Sequence, residues 1–370
     1  CGGNDCNRCD NTKSCKSASD CASGACTSGK CAMWSRSFGG VGIDRLFGQA
    51  VDAAGNIYLV GLFNGPTDLG GDAGTQVPVG LDGFVMKLLR DGSTDWVKTI
   101  SGSGDQYVNG LVLASNGDVI VGGTFVATGI SLKGDVIAPG TMLTRLTPAG
   151  TVVWERSYPN GYVGPIAIDS SDDFVAAGYK DGSNDVTFGT TLLTARGGGY
   201  DGLAAKFRGS DGAMLWAANL GGPDVDTTMG SQLDHVAGVG LAPNGDMYVT
   251  GSFLDGKPPV GISANDAAPP NSGWDPYVAR LSSADGGLVW GKAFFGSSFV
   301  DVLNGVLPLP NGDLVVTATG NSMDFGHGPG RLEQHPTIVR LPSDGGPAQW
   351  QNEALLPDDK LMLAQFAGPA

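Results

Sequence analysis

A chain of 370 residues is long enough for one large domain or two ordinary ones. Only 16% of its residues are charged, 61 are glycine and 41% are hydrophobic, a mixture that argues against disorder and for many tight turns between short strands. The net charge of -15 argues against nucleic acid or an anionic membrane surface as partner, and no apolar run is long enough to cross a bilayer as a helix.

Residues 1–33 hold all seven cysteines. The chain begins with Cys1 rather than Met and shows no signal peptide, which reads as a processed form. Cys6, Cys9, Cys15, Cys21, Cys26 and Cys31 are expected to form a disulfide knot of three bridges, because so short a segment cannot build its own hydrophobic core. The sequence does not separate the possible pairings. Such a knot needs an oxidising compartment: periplasm, cell surface or exterior. The Cys6–Cys9 spacing would also suit a redox or zinc site, but no βαβ context surrounds it, and Asp10 stands where a c-type haem needs His. Cys1, followed by Gly2 and Gly3, resembles the mature N-terminus of a bacterial lipoprotein, where the first cysteine carries the lipid. The alternatives for Cys1 are an arbitrary chain start or a bridge between chains.

From residue 34 onward the chain repeats itself. Trp34, Trp96, Trp154, Trp216, Trp290 and Trp350 follow at intervals of 62, 58, 62, 74 and 60 residues, and Trp274 alone falls outside the series. Other markers keep the same phase. A Gly/Asn/Asp turn opens an apolar run in "GNIYLVGLF", "NGDVIVGGTF", "SDDFVAAGY", "NGDMYVTGSF" and "NGDLVVTATG". A strand with one basic residue follows, placing Lys87, Arg145, Lys206, Arg280 and Arg340 at one position of the repeat. A second turn then leads into the strand that carries Trp. With a first strand such as "GLVLA" at 110–114, each unit has four strands, and helical periodicity is nowhere evident.

These units predict an all-β fold. The expected architecture is a β-propeller over residues 34–370, with five full four-stranded blades between about 47 and 355. Residues 34–38 look like an orphan fourth strand, and 359–368 look like one or two more strands. Joined, the two ends would close a sixth blade; otherwise the ring has five.

The pattern D-G-F-V-x-K-L … D-G … W … G-N-x-Y-V-x-G-x-F resembles the bacterial SBBP-type β-propeller repeat, over roughly residues 34–355. Two units depart from it: Asp172 and Asp173 replace the NGD turn, and Gly140-Thr141-Met142 replaces the D-G-aromatic start. The head, with its cysteine run from Asp20 to Cys31, resembles the Cys-rich segments of surface lipoproteins of myxobacteria and their relatives. These resemblances imply a propeller on a surface lipoprotein and bring no established catalytic residues with them.

Signs of chemistry are few. His235, His327 and His335 are scattered, and no Ser/His/Asp order, GxSxG or HExxH occurs. The stretch "GSFLDGKP" at 251–258 nearly matches a phosphate loop, but Pro258 replaces the required hydroxyl residue and no helix follows. Asp44, Asp105, Asp234 and Asp301 each precede a first strand. They are expected at equivalent places, capping turns or pairing with the recurring Lys/Arg; the functional alternative is a carboxylate ring for Ca²⁺, the one cofactor the sequence suggests. "DVDTTMG" at 224–230 has a weak likeness to a calcium loop. The phased tryptophans are expected to pack between blades.

Loops between second and third strands vary most, at 64–82, 126–140, 180–201, 254–275 and 320–336, and share one face of the ring. Lys257 and Trp274, on the longest of them, are the binding candidates. No blade breaks the repeat as a catalytic site would. The expected function is therefore a non-enzymatic, extracellular or outer-membrane-surface propeller (periplasm being the alternative compartment). It would bind a surface protein or polysaccharide or self-associate, and touch a membrane only through a lipid on Cys1. Two alternatives stand beside it. One is a hydrolase or lyase acting on polysaccharide in the central channel, which would bring acidic, His or Tyr residues together there. The other is an outer-membrane assembly lipoprotein similar to the quinone-cofactor propellers, whose "DG…W" motif is shared.

Overall fold

A computed structural model of the chain describes residues 14–21, 26–31, 34–70, 74–181, 184–196, 199–222, 235–254, 258–264, 273–295, 301–320, 323, 325 and 335–353. The body is a β-propeller. Blade 1 comprises Arg45–Val51, Ile57–Phe63, Asp82–Leu88 and Thr94–Gly102, and blade 2 Gln106–Leu113, Val119–Phe125, Gly140–Leu146 and Val152–Pro159. Blade 3 comprises Gly161–Ile168, Phe174–Asp181, Tyr200–Phe207 and Met214–Asn219, and blade 4 His235–Leu241, Met247–Leu254, Trp274–Leu281 and Leu288–Ala293. Blade 5 comprises Val302–Pro308, Leu314–Gly320, His335–Leu341 and Trp350–Glu353. The four strands of each blade pair antiparallel in chain order.

Second and third strands lie between neighbours on both faces, which is why they are apolar without alternation; all seven residues of Val119–Phe125 and of Asp82–Leu88 are buried. The turn between first and second strands needs a left-handed residue. Gly117, Gly245 and Gly312 supply it at φ of 85°, 84° and 89°. Asp172 takes the same place in blade 3 at φ 63°, and its carboxylate accepts hydrogen bonds from the Ser115 amide and hydroxyl of blade 2, which offsets the strain.

The tryptophan interval has one cause. Each indole reaches the next blade's turn between third and fourth strands and donates to a carbonyl there: Trp96 to Pro148, Trp154 to Gly209, Trp216 to Ser283 and Trp290 to Ser343, at 2.9–3.1 Å. A glycine of positive φ (Gly150, Gly212, Gly286, Gly345) lies on the ring, too close for a side chain. Lys87, Arg145 and Arg280 donate to the same carbonyls as the neighbouring tryptophan. The recurring basic residue is thus part of a latch between blades.

Its ion-pair partner corrects the sequence expectation. Arg145, Arg280 and Arg340 pair at 2.8 Å with Asp118, Asp246 and Asp313, the aspartates of the NGD turns, rather than with the Asp44 set at the opposite end of the strands. Lys87 pairs with Asp95 and Lys206 with Asp169.

Trp34 makes the same latch, donating to the Arg90 carbonyl of blade 1 with Gly92 on its ring, so it fills the slot of a fourth-strand tryptophan in a preceding blade. Trp34, Phe38 and Leu69 cover the second and third strands of blade 1 on the side that would face that blade, and its first strand is open there among the described residues. Leu46 is 59% exposed, while its equivalents Val108, Val163, Val236 and Leu303 are at most 4% exposed. The expected closing strands at 359–368 lie outside the described residues.

In the head, two of the expected bridges are described, Cys15–Cys26 and Cys21–Cys31, in a crossed pairing. Cys1, Cys6 and Cys9 lie outside the described residues. The head meets the propeller where Arg90 donates to the Cys21 carbonyl.

Candidate functional site

The strands start and end so that two different faces result. The short turns, with the latches and ion pairs, form one. The opposite face carries the long loops between second and third strands together with the starts of all first strands. Parts of those loops fold back on it: Val186–Phe188 pairs with Thr191–Leu193 as a hairpin, and Gly129–Ile130 adds to the outer strand of blade 1.

The sequence-chosen aspartates lie on this loop face but not as one ring. By register, Asp44 and Asp301 are equivalent, and Gln106, not Asp105, takes their place in blade 2; Asp105 precedes it by one residue. Asp44 accepts from the Gly40 amide and the Thr67 hydroxyl. Asp105 accepts from the Leu81 amide of blade 1 and the Tyr107 hydroxyl. Asp301 is fully buried, with its amide on the Trp274 carbonyl. Asp234 lies outside the described residues, as do Lys257, His327 and the 224–230 stretch. Among the described residues the single cluster of three metal-type donors is Cys15, Cys21 and Cys31, and all three are disulfide-bonded.

Trp274 is not a loop residue. It opens the third strand of blade 4, opposite Leu254, and is half-buried. The equivalent residue of blade 3 is Tyr200, opposite Asp181. Tyr200 belongs to a row. Tyr162 on the first strand pairs across to Tyr179 on the second, their rings stacked at 5.1 Å, and Tyr179 meets the Tyr200 ring edge-on at 4.9 Å. Tyr107 of blade 2 holds the place equivalent to Tyr162. All four tyrosines are half-buried.

Blade 3 therefore does break the repeat, contrary to the sequence expectation. It breaks it a second time on the other side of the same strands. Where blades 1, 2 and 4 have Phe63, Phe125 and Phe253, blade 3 has Lys180, and it pairs at 3.0 Å with Asp201, both fully buried. Asn219 also donates to Asp201 at 3.0 Å.

Tyr107 and Tyr179 of this face are held as neutral hydroxyls. Burial, then the neighbouring Asp105 carboxylate, pushes the Tyr107 phenol up to about 12, so it is a donor and a poor base at neutral pH. Burial and the adjacent phenols raise Tyr179 too. One carboxyl approaches neutrality: burial pushes Asp82 up to about 6. It lies opposite Phe63, 5% exposed. Because the fold holds this proton more tightly than the unfolded chain does, its stabilising effect is full at acid pH and is lost as pH rises from about 4 to about 6. Asp82→Asn is expected to raise stability at pH 8 by roughly 2–3 kcal/mol and to change little at pH 4, read from urea unfolding at both values.

On the turn face, a cleft of about 520 Å³ opens between blades 3 and 4, lined by Asp169, Ser171, Lys206, Asn244 and Ser283 among others. It marks a weaker latch: Lys206 turns back to Asp169 instead of reaching the Ser283 carbonyl.

Sequence reasoning missed the tyrosine row. The signal was available in composition, since Tyr107, Tyr162, Tyr179 and Tyr200 are half of the chain's eight tyrosines and all fall at the loop-side ends of strands.

No protein-family model matches the chain, and no curated protein sequence matches it. Solved structures that resemble it include the Pan2 WD40 domain of Neurospora crassa, at 10% identity and a TM-score of 0.44, over 83% of this chain and 65% of that one. A quinohemoprotein alcohol dehydrogenase from Pseudomonas putida shares 13% identity at a TM-score of 0.41, over 83% of this chain and 42% of that one. A polysaccharide lyase described as an ulvan lyase shares 12% identity at a TM-score of 0.45, over 83% and 69%. At these identities the likeness is one of fold, and a propeller hosts many unrelated functions.

Proposed function

We propose that this propeller is a non-enzymatic binding protein of the cell exterior or outer-membrane surface, which engages a surface polysaccharide or protein through its loop face. The observation that carries this reading is the set of half-buried aromatic residues on that face, Tyr107, Tyr162, Tyr179, Tyr200 and Trp274, gathered on blades 2 to 4. Tyr58, Tyr248 and Tyr277 in the blade interiors are fully covered, whereas each ring of this set keeps part of its surface within reach of solvent. The two disulfides support an oxidising compartment. A lipid on Cys1 is the proposed tether.

The test is cosedimentation of the non-reduced full chain with insoluble polysaccharides and with washed cell envelopes, while new reducing or unsaturated chain ends are counted. Saturable retention without new ends is the expected result. Cleavage of the polymer would overturn the reading in favour of a hydrolase or lyase, and absence of retention on every support would overturn it outright. Intact mass before and after reduction checks the tether: a diacyl or triacyl increment on Cys1 is expected, and an unmodified Cys1 removes it.

A further inference from the structure

We propose that the tyrosine row of blade 3 is a carbohydrate subsite that takes the uncharged face of a neutral polysaccharide. This rests on the binding function proposed above and names its ligand class and its residues.

Placement is the first reason. Tyr162, Tyr179 and Tyr200 stand on three adjacent strands, so their rings cross the blade in one line. The corresponding residues are Arg45, Leu62 and Leu81 in blade 1 and Tyr107, Thr124 and Pro139 in blade 2. The propeller thus needs no aromatic residue at these positions, and blade 3 has three.

Chemistry is the second. A pyranose presents axial C–H groups on its faces and hydroxyls around its rim. Aromatic rings offer an electron-rich surface to the former, and phenol hydroxyls exchange hydrogen bonds with the latter. Tyr107 and Tyr179 are held protonated, so they donate as well as accept. Tyr107 already donates to Asp105, which shows that the site has an acceptor for hydroxyl groups beside the row.

Charge is the third. The chain carries a net charge of -15, and Asp105 adds a carboxylate bonded to Tyr107, whose phenol interacts with that of Tyr179. Sulfated or uronic polymers would meet repulsion there, whereas a neutral polymer would not.

Rigidity is the fourth. Lys180 follows Tyr179, Asp201 follows Tyr200, and their buried ion pair ties the two strands together directly behind the row. Rings fixed in this way lose little freedom when a sugar binds.

The experiment is affinity electrophoresis of the full chain in gels containing soluble mixed-linkage β-glucan, galactomannan or, as the anionic counterpart, alginate. Retardation by at least one neutral polymer and none by alginate is expected. Tyr200→Ala and Tyr179→Ala should each weaken the retardation at least tenfold with an unchanged thermal midpoint, and Tyr200→Phe, which keeps the ring, should keep most of it. Retardation by alginate alone, or by none of the polymers, overturns the proposal. Equal retardation of the alanine variants and the parent also overturns it, while leaving loop-face binding intact if the parent still cosediments with cell envelopes. Should an alanine variant lose its thermal transition, Tyr200→Leu, which keeps bulk without the ring, decides: unchanged retardation overturns the proposal.

Discussion

Lys180→Ala or Asp201→Ala is expected to cost about 3–5 kcal/mol, a large share of an ordinary domain's stability. Both side chains are fully buried, and the Nζ–Oδ2 distance is 3.0 Å. Removing either partner takes the neutralising charge from the other where water cannot reach it. Removing both is a different matter. Blades 1, 2 and 4 place Phe63, Phe125 and Phe253 at the Lys180 position, so the architecture accepts an apolar ring there. Lys180→Phe combined with Asp201→Asn is therefore expected to fall within about 1–2 kcal/mol of the parent, because a buried pair replaced by well-packed groups is often neutral. Urea unfolding of the two single variants and the double variant measures this as a cycle. Single-variant losses below about 1 kcal/mol would show that water reaches the pair. If the double variant is stable yet binds ligand less well, the pair is kept for the tyrosines it positions rather than for stability.

Trp216→Ala is expected to be the most damaging change among the blade latches, at about 3–5 kcal/mol. Trp216 is 6% exposed, its ring faces Gly286, and its indole donates to the Ser283 carbonyl at 3.0 Å. In the latches of Trp96, Trp154 and Trp290 a basic side chain also donates to that carbonyl, but Lys206 is committed to Asp169. The interface of blades 3 and 4 thus has no second donor in reserve. Trp34→Ala should cost less, about 1–3 kcal/mol, because Trp34 is only half-buried and Arg36 separately donates to the Gly92 carbonyl. Stability in such arrays is approximately a sum of unit and interface contributions, so the Trp216 variant should also broaden the denaturation curve as blades 1–3 and 4–5 uncouple. A sharp curve with a small shift would show that the latch is dispensable.

The strand plan was legible in the sequence because the features that mark it are the ones that hold it. Tryptophan recurs at a near-constant interval because each indole must reach the next blade, and a strand packed on both faces is written as an unbroken apolar run. What was not legible depends on register. Arg145 and Asp118 lie 27 residues apart, and only the pairing of Ile120 with Arg145 brings them together. Tyr162, Tyr179 and Tyr200 look like unrelated strand-end residues until antiparallel pairing aligns them. The crossed disulfides depend on the fold of the head, which its short strands do not announce. Asp105 was misplaced for a smaller reason: the connection into blade 2 is one residue out of step with those into blades 1 and 5, so spacing from the next glycine misled by one position. The loop boundaries fell within two residues of the strand ends, since turn residues end the apolar runs abruptly, but Lys180, Tyr200, Asp201 and Trp274 were assigned to loops where they lie in strands.

Among the described residues, the hydrogen bonds that join the head and residues 34–36 to the propeller meet at one place. Arg90 donates to Cys21, Trp34 donates to Arg90, and Arg36 donates to Gly92, so all three bonds meet the turn at 89–93 of blade 1. That turn belongs to the face opposite the tyrosine row. Were the molecule tethered by its N-terminal segment as proposed, it would therefore be gripped from behind and look outward. Traction from a captured polymer would run across the blades and into one small turn, braced by a disulfide-crossed head.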